Sequence, residues 1–399
     1  MTQERHGAHS DETMVQVTLQ GNSLSVIDDG PALWTALIDL IDSARSSLKL
    51  YYYIFADDES GHIMLDRLIA ARNRGVAVTL IVDAFGSGGP DQPLFDGLIA
   101  AGGHFAWFGA RRSTRYLIRN HQKIAIADDE RLMIGGFNIS HDYFGPVEAD
   151  GWRDLGLVIR GPQVEAMVLW YAQLWRWVST RRQRFRTLRA MVRRWHPALR
   201  HDPHSAFRWL VGGPTRRLSP WAKVAKHDLE QARRVDMVMA YFSPGRGMLK
   251  RIARAAGRDG ARLILPARSD NGATVAASRL LYGPLLRRGV EIREYLPNKL
   301  HIKLLVVDDA VFIGSANFDM RGLFLNLELM LRIEDRHFAE LMRARIDRYA
   351  KDSKRVTYDA YVRQRGVLTL IKGWISYFLV GVLDYSVTRR LNFRDPDTD

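Results

Sequence analysis

The pattern that decides the fold begins with the strand-like run Leu48-Lys-Leu-Tyr-Tyr-Tyr-Ile-Phe55. A helical stretch at 62–74, a glycine and a second apolar run at 76–82 follow it. Short β-branched and aromatic runs that alternate with helix-period segments are typical of βα units, which build a sheet covered by helices. The pattern therefore predicts an α/β fold.

The same order of elements occurs again in the second half of the chain. Val235-Asp-Met-Val-Met-Ala-Tyr-Phe242 precedes a helical stretch at 247–256 and an apolar run at 261–265. We therefore expect a pseudo-twofold duplication: two similar α/β halves at 20–165 and 205–345, each with a central mixed sheet flanked by helices. Two uncoupled Rossmann-type domains are the alternative, but Gly86-Ser-Gly-Gly-Pro90 lacks the G-x-G-x-x-G spacing of a dinucleotide site.

Composition limits the classes of function. The chain has 399 residues, 47% of them hydrophobic, which excludes a disordered protein. Its formal charge of +14 favours a polyanionic partner: nucleic acid, phospholipid headgroups or a phosphorylated small molecule. The absence of cysteine excludes disulfides, iron–sulfur clusters and thiol nucleophiles. We expect residues 1–20 to be a polar tail, and their lack of an apolar run excludes a signal peptide.

A basic segment at 166–204 separates the two halves. Nine arginines lie between residues 176 and 200. Aromatic residues accompany them: Trp170, Tyr171, Trp175, Trp177, Phe185 and Trp195. This composition predicts a basic helical connector suited to an anionic surface. The alternative is a solvated connector that covers the sheet.

The C-terminal segment, 346–399, contains an apolar stretch at 367–383. Thr369, Lys372 and Ser376 recur there at helical spacing and form one polar stripe. A helix that lies in the membrane interface fits this pattern better than a spanning one. A helix packed on the protein's own core or on a dimer partner is the alternative.

The sharpest signal for function occurs once in each half. The first copy reads His121-Gln-Lys-Ile-Ala-Ile-Ala-Asp128, followed by Gly135-Gly-Phe-Asn138. The second reads His301-Ile-Lys-Leu-Leu-Val-Val-Asp308, followed by Gly314-Ser-Ala-Asn317. H-x-K-x4-D is expected about 0.02 times by chance in a chain of this composition. On a strand, the histidine and lysine of each copy point to the same face.

These residue types suit the chemistry of a phosphoryl group. If the halves face each other, the lysines and asparagines of both motifs would surround one phosphate with charge and N–H donors. One neutral imidazole would attack phosphorus and form a phosphohistidine. The other, protonated, would donate to the departing oxygen and then deprotonate the acceptor hydroxyl. We expect no metal or other cofactor, because no carboxylate cluster of metal-ligand type lies beside the motifs.

The two motifs match, position for position, the double signature of the phospholipase D superfamily, and the chain resembles that superfamily over residues 26–345. The resemblance implies a two-halved α/β sandwich with one site at the seam, a covalent phosphohistidine and no metal. Within the superfamily, the following segments are most similar to bacterial cardiolipin synthases: Gly135-Gly-Phe-Asn-Ile-Ser140, Gly314-Ser-Ala-Asn-Phe-Asp-Met-Arg-Gly322 and Asn326-Leu-Glu328.

The resemblance also implies roles for the residues of the site. His121 would be the nucleophile and His301 the general acid and base, although the sequence alone does not distinguish the two. Acidic residues downstream of each motif orient the histidines in relatives. Asp154 would therefore orient His121, and Glu328 would orient His301.

The remaining motif residues complete the predicted site. Lys123 and Lys303 belong with the histidines to the catalytic set. So do Asp128 and Asp308, which we expect to fix the backbone and lysine of each motif rather than contact substrate. Asn138, Asn317 and Ser315 would support the phosphate. Five residues separate Asp308 from Gly314 against six between Asp128 and Gly135, so the second turn should be tighter.

A cardiolipin synthase would attack the headgroup phosphate of one phosphatidylglycerol, release glycerol and pass the phosphatidyl group to a second lipid, phosphatidylglycerol or phosphatidylethanolamine. Its partners would be anionic phospholipid and the membrane surface. Because two N-terminal transmembrane helices are absent from the sequence, the chain resembles the shorter, peripheral group, on the cytoplasmic face of the bacterial inner membrane.

Three other functions stay open. The first is a phosphodiesterase that cleaves nucleic acid, because superfamily nucleases use the same motifs and a charge of +14 suits DNA. The second is a hydrolytic phospholipase D. The third is a non-enzymatic membrane-binding scaffold, against which the intact histidine, lysine and aspartate of both motifs argue.

Overall fold

We describe the protein from a computed structural model, which covers residues 14–89, 93–109, 118–180, 183–198, 204–214, 218–363, 366 and 375. The chain forms two compact units. The first lies within Met1–Phe108 and Lys123–Ser179, and the second within Gly109–Gln122 and Thr180–Asp399. Apart from residue 375, the predicted apolar helix at 367–383 lies outside the described residues, as does most of the polar tail. None of the helices in the described ranges is long and apolar enough to cross a bilayer.

The first unit is built around one mixed sheet. Its strands are β1 (Met14–Leu19), β2 (Asn22–Ile27), β3 (Ser47–Tyr52), β4 (Ala77–Asp83), β5 (His104–Phe108), β6 (Ile124–Ala127), β7 (Arg131–Gly135) and β8 (Gly156–Arg160). Its helices are α1 (Gly30–Asp42), α2 (Glu59–Asn73), α3 (Asp96–Ala100), α4 (His141–Phe144) and α5 (Val164–Val178). The strand order is β1-β2-β8-β7-β6-β3-β4-β5, in which β3, β4 and β5 are parallel to one another.

Local sequence explains the βα unit at the centre of this sheet. Leu48 and Leu50 of β3 are fully buried in the hydrophobic core, which also holds Leu68 of α2. The helix begins after Asp58, whose carboxylate accepts a hydrogen bond from the Gly61 N–H. A second helix, α5, is fixed to the sheet by the Tyr171 hydroxyl, which donates to backbone carbonyls of β3 and β4.

The second unit has its own large sheet and one small one. Its strands are β9 (Phe207–Val211), β10 (Arg234–Met239), β11 (Phe242–Ser243), β12 (Gly260–Pro266), β13 (Glu291–Tyr295), β14 (Lys303–Val307), β15 (Ala310–Gly314), β16 (Phe318–Asp319), β17 (Leu329–Glu334) and β18 (Ser353–Val356). Its helices are α6 (Phe185–Ala198), α7 (Pro220–Gln231), α8 (Arg246–Ala256), α9 (Gly272–Leu280), α10 (Tyr282–Leu286), α11 (Met320–Phe324), α12 (Arg336–Lys351) and α13 (Tyr358–Arg363).

The two sheets confirm the duplication. The large sheet of the second unit has the order β18-β13-β12-β10-β14-β15-β17-β9. Its parallel strands β10, β12 and β13 correspond to β3, β4 and β5, and the antiparallel strands that continue from β14 to β9 correspond to β6, β7, β8 and β2. The two halves differ at their edges, where β1 and β18 have no counterpart among the described strands of the other unit.

The structure differs from the sequence-based expectation near the ends of each half. The predicted connector at 166–204 contains most of α5, which belongs to the first unit, and α6, which belongs to the second. Past residue 345, the second unit continues through α12 and β18, which pairs with β13.

The connector's aromatic rings are directed into the protein. Trp170 and Trp177 of α5 and Phe185 and Trp195 of α6 are buried. The arginines lie instead on exposed faces: Arg176, Arg184, Arg186, Arg193 and Arg194. These four aromatic rings therefore cover the protein itself, and the arginines named here are presented to solvent.

Candidate active site

The lysine of each motif lies at the start of a central strand of its sheet. Lys123 directly precedes β6, and Lys303 is the first residue of β14. Both side chains are almost fully buried, at 1% exposure. The first motif is divided between the units, because His121 belongs to the second unit and Lys123 to the first.

The aspartates of the motifs lie at the other ends of the same strands. The Asp128 carboxylate accepts hydrogen bonds from the backbone N–H groups of Arg45, Ser46 and Ser47, which lead into β3. Burial raises the pKa of Asp128, but these hydrogen bonds together outweigh it and lower the pKa to about 2.

Asp308 does the same in the second unit. Its carboxylate accepts from the N–H groups of Arg233 and Arg234 at the start of β10. Both aspartates adopt the left-handed conformation, with φ of 56° at Asp128 and 48° at Asp308. Both carboxylates thus bind backbone N–H groups, and the place of these two residues in the catalytic set stays a prediction. They hold the segments that lead into β3 and β10, at the far ends of β6 and β14 from the lysines.

His121 belongs to the second unit because the backbone around it forms hydrogen bonds with Leu327 of that unit. The His121 N–H donates to the Leu327 carbonyl at 2.8 Å, and the Leu327 N–H donates to the Arg119 carbonyl at 2.9 Å. The Gln122 side chain, fully buried, adds a hydrogen bond to the Glu328 carbonyl. The histidine of the first motif is thereby attached to the segment that carries the acidic residue of the second.

The imidazole of His121 is held through Nδ1. It lies 3.0 Å from the Ser315 carbonyl oxygen and 3.2 Å from Glu328 Oε2. Glu328 is fully buried and also accepts hydrogen bonds from the Ser315 hydroxyl and from Asn326 Nδ2. The first histidine therefore lies on the Gly-Ser-Ala-Asn turn of the second motif.

This arrangement corrects one expected pairing. Glu328 was expected to orient His301, but its carboxylate contacts His121. The reason is topological: the segment that carries His121 lies beside residues 326–328, which sequence distance does not reveal. In the first unit, Asp154 is buried and occupies the position that corresponds to Glu328, since each precedes the leucine whose carbonyl binds the glycine-rich turn. Its predicted role toward His121 stays a prediction.

His301 has a different set of neighbours. Lys303 Nζ lies 2.7 Å from His301 Nδ1, and the two side chains are 1% and 5% exposed. The ring of Tyr241 lies nearly perpendicular to the imidazole, with 6.0 Å between ring centroids. The Tyr241 hydroxyl donates to Asp270 Oδ1 at 2.7 Å.

The asparagines of the two turns are also buried. Asn138 Oδ1 accepts a hydrogen bond from the Ile54 N–H, and its Nδ2 donates to the Tyr143 hydroxyl. In the second unit, Asn317 Oδ1 is buried without a hydrogen-bond partner among the described residues. The turns need glycine because a Cβ at Gly135 would lie 2.5 Å from the Leu155 carbonyl oxygen, and one at Gly314 would lie 2.0 Å from that of Leu329.

Sequence analysis missed several residues of the site. Gln122 and Asn326 flank predicted residues and support the backbone and carboxylate around His121. Asn326 lies in the quoted Asn326-Leu-Glu328 segment, which was a usable signal. Tyr241 and Asp270 belong to neither of the two motifs, so no signal in the sequence identified them. Among the residues that the structure describes, no group of three or more histidine, cysteine and acidic side chains is arranged to hold a metal ion.

Comparison with known proteins identifies the family of the chain. A family model described as "Cardiolipin synthase, PLD-like domain" matches residues 37–175 and 226–350. The solved phosphatidylserine synthase of Haemophilus influenzae Rd KW20 shares the fold, with a TM-score of 0.69, 15% identity and coverage of 94% of this chain and 96% of that one. The chain thus belongs to the phospholipase D superfamily and, within it, to the cardiolipin synthase, PLD-like domain family.

Two relatives of the chain are named cardiolipin synthases. The cardiolipin synthase of Geobacillus thermodenitrificans is 32% identical over 76% of this chain and 61% of that protein. Cardiolipin synthase B of Escherichia coli strain K12 is 30% identical over 81% of this chain and 79% of that protein. The chain therefore spans less than two thirds of the Geobacillus protein and about four fifths of the Escherichia coli one.

Proposed function

We propose that this protein is a phosphatidyltransferase that makes cardiolipin from phosphatidylglycerol and a second phospholipid through a phosphohistidine intermediate. Family membership and the similarity to cardiolipin synthases support the reaction class. The observation that carries the mechanism is the pair of oxygen atoms on His121 Nδ1, from the Ser315 carbonyl and the Glu328 carboxylate.

That pair of contacts supports His121 as the nucleophile. A carbonyl oxygen only accepts hydrogen bonds, so Nδ1 must carry the proton. The lone pair of the neutral imidazole is then on Nε2, the only ring nitrogen left to attack phosphorus. The buried Glu328 carboxylate stabilises the positive charge that the ring gains as the N–P bond forms.

His301 is then the general acid and base. In the first step, His121 Nε2 attacks phosphorus and the bond from phosphorus to the headgroup oxygen breaks. His301 gives the proton on its Nε2 to that oxygen, since Nδ1 faces Lys303 Nζ. In the second step, His301 takes the proton of the acceptor hydroxyl, whose oxygen attacks phosphorus and displaces Nε2. Both histidines return to their starting states.

Lysine and asparagine side chains offset the charge on the phosphate. Lys303, almost fully buried beside His301, offers an ammonium group for a phosphoryl oxygen, and we assign Lys123, also buried, the same task. Asn138 and Asn317 would add N–H donors from the turns. Burial of these groups strengthens their interaction with the phosphate, since little water competes with it.

Replacing each histidine tests the proposal. His121→Ala and His301→Ala should each abolish cardiolipin formation from phosphatidylglycerol, measured by mass spectrometry of the lipids, while the far-UV circular dichroism stays unchanged. His62→Ala, an exposed histidine of α2 in the first unit, is the matched control and should keep wild-type activity. Acid quenching with labelled substrate should trap a phosphohistidine in the wild type and none in His121→Ala.

The same assay separates the alternatives. Addition of phosphatidylethanolamine shows whether it serves as the second lipid, and release of phosphatidic acid reports hydrolysis. Plasmid DNA in a parallel reaction tests the nuclease. Cleavage of DNA with no change in lipid would overturn the proposal, as would full lipid turnover by either histidine variant.

We also propose that the protein acts at the cytoplasmic face of the inner membrane, where its lipid substrates are present. The exposed arginines of α6, among them Arg186, Arg193 and Arg194, supply charge for an anionic surface. Replacing these three by glutamine should reduce cosedimentation with phosphatidylglycerol vesicles, and more so at low than at high salt. Equal sedimentation at low salt would contradict this role for the arginines.

A further inference from the structure

Tyr241 and Asp270 form a polar pair directly beside His301. Tyr241 follows the end of β10, and its carbonyl accepts the Phe318 N–H next to Asn317. Its ring packs edge to face with the imidazole, and its hydroxyl donates to Asp270 Oδ1. The Ser269 hydroxyl donates to the same oxygen atom at 2.7 Å.

The pair retains capacity to bind a ligand. Asp270 is exposed and Tyr241 half-buried, so both are reachable from solvent. A carboxylate has about four acceptor positions, and the two hydroxyl donors occupy one of its oxygen atoms. The Tyr241 hydroxyl donates its one proton to Asp270, and its oxygen atom can still accept a hydrogen bond.

Asp270 is also ionised at neutral pH. Partial burial raises its pKa, but the hydrogen bonds from Tyr241 and Ser269 and the nearby His301 lower the pKa by more. The pair thus presents a negative charge and hydrogen-bond acceptors to any group that lies beside His301.

The first unit has a different residue at the position that corresponds to Tyr241. In the first unit, the carbonyl of Ile54 accepts the Ile139 N–H at 3.1 Å, just as the Tyr241 carbonyl accepts the Phe318 N–H at 3.1 Å. Ile54 therefore occupies the position of Tyr241, and it has no hydroxyl. A duplicated fold thus has an acceptor pair next to His301 for which the first unit has no equivalent at that position.

We propose that Tyr241 and Asp270 form the subsite for the phospholipid headgroup, which takes the hydrogen-bond-donating end of that group: a glycerol hydroxyl or the ammonium of ethanolamine. The inference rests on the proposed function, because His301 as general acid must contact the headgroup oxygen. The headgroup therefore lies on the His301 side of the phosphate, where this pair is placed.

The chemistry of the pair fits such a ligand and disfavours others. Hydroxyl and ammonium groups donate hydrogen bonds to a carboxylate, and an ammonium also interacts with the face of a tyrosine ring. The negative charge of Asp270 repels a second phosphate, which keeps the donor phosphate next to the lysines. A choline headgroup has no N–H or O–H to donate, so it gains no hydrogen bond here.

The test compares headgroups across substitutions of the pair. kcat/KM for headgroup release is measured with phosphatidylglycerol, phosphatidylethanolamine and phosphatidylcholine in mixed micelles, for the wild type, Asp270→Ala, Asp270→Asn and Tyr241→Phe. Asp270→Ala should lose about 10- to 100-fold on the lipid with the preferred donor headgroup, since a hydrogen bond to a charged group is lost. The loss with phosphatidylcholine should be much smaller, because only the attraction between two charges is removed there.

The Asp270→Asn variant distinguishes a glycerol headgroup from an ethanolamine headgroup. It keeps an acceptor oxygen but removes the charge, so Asp270→Asn should retain most activity toward a glycerol headgroup and lose as much as alanine toward ethanolamine. Tyr241→Phe keeps the ring and frees Asp270, and we expect a rise in KM of about 10-fold or less with kcat little changed.

Asp259→Asn is the matched control. Asp259 is exposed, pairs with Arg233 at the opposite end of β10, and its replacement changes the net charge by the same amount. It should leave all three rates unchanged. If the wild type turns over lipids but the Asp270 variants show the same headgroup preference, the subsite is wrong and the proposed function stands. If the wild type turns over no lipid, the proposed function itself fails.

Discussion

Glu328→Gln is the sharpest single test of the proposed mechanism. The substitution preserves the size of the side chain and an oxygen atom for His121 Nδ1, but it removes the buried negative charge 3.2 Å from the ring. The Ser315 carbonyl, 3.0 Å from the same nitrogen, should keep the imidazole oriented. The variant therefore separates the charge from the orientation of the histidine.

The magnitude follows from the lost interaction. A hydrogen bond to a charged group contributes about 1.5–3 kcal/mol. Because the imidazole becomes positive only as the N–P bond forms, this loss falls on the transition state rather than on substrate binding. We therefore expect kcat to fall by about 10- to 100-fold, with KM little changed.

The assay is single-turnover conversion of labelled phosphatidylglycerol, with phosphohistidine and cardiolipin quantified at each time point. Formation of the phosphohistidine should be slowed in Glu328→Gln. Glu334→Gln is the control, since Glu334 is exposed at the far end of β17, the strand that directly follows Glu328, and pairs with Arg332. A rate within twofold of the wild type would refute the role of Glu328, and an unfolded variant would be recognised by its thermal transition.

Three further predictions concern the stability of the fold, the turn at Gly314 and membrane binding. Asp128→Ala should lower the free energy of unfolding by about 2 kcal/mol at pH 7. Because folding lowers the pKa of Asp128 to about 2, this stabilisation is present above pH 4 and is lost as the pH falls toward 2, so urea unfolding of the two proteins should converge there. Gly314→Ala should cost about 1–3 kcal/mol and reduce transfer, because its Cβ would meet the Leu329 carbonyl and displace Ser315; unchanged thermal stability would contradict this. Deletion of 367–399 should weaken sedimentation with anionic vesicles, and unchanged sedimentation would dismiss an interfacial helix.

Most of the sheet architecture was predictable because local sequence controls it. The run at 48–55 predicted a strand, and β3 occupies Ser47–Tyr52. The apolar side chains of β3 and the order of strand and helix depend on residues close together in the sequence. They can therefore be recognised in a single sequence. The same holds for the duplication, since the two strand orders follow from two similar patterns.

The boundaries were less predictable because packing decides them. Trp170 is fully buried in α5, so the first part of the segment that composition marked as a separate connector belongs to the first unit, and its second part, with α6, belongs to the second. Likewise β18, with two charged residues in Ser353–Val356, becomes a strand only through its pairing with β13. In both cases a partner distant in sequence overrides the local pattern.

The site shows the same division between local and distant information. Spacing alone identified the histidines and lysines, and the turn glycines came with them. Spacing did not identify which histidine Glu328 contacts. The choice between His121 and His301 depends on where residues 118–122 lie in the fold. No property of Glu328 or its neighbours in sequence contains that information.

Duplication gives each half the same histidine, lysine and asparagine, so the residues that differ must divide the work between the two histidines. Gly136 in the first turn corresponds to Ser315 in the second, and only the serine adds a hydroxyl that binds Glu328. Ile54 corresponds to Tyr241, and only the tyrosine contacts an acidic partner next to its histidine. Under the proposed mechanism both differences act in the same direction. The first adds a hydrogen bond to the carboxylate that holds His121, the proposed nucleophile, and the second places acceptors beside His301, the proposed acid and base for the leaving and entering alcohols.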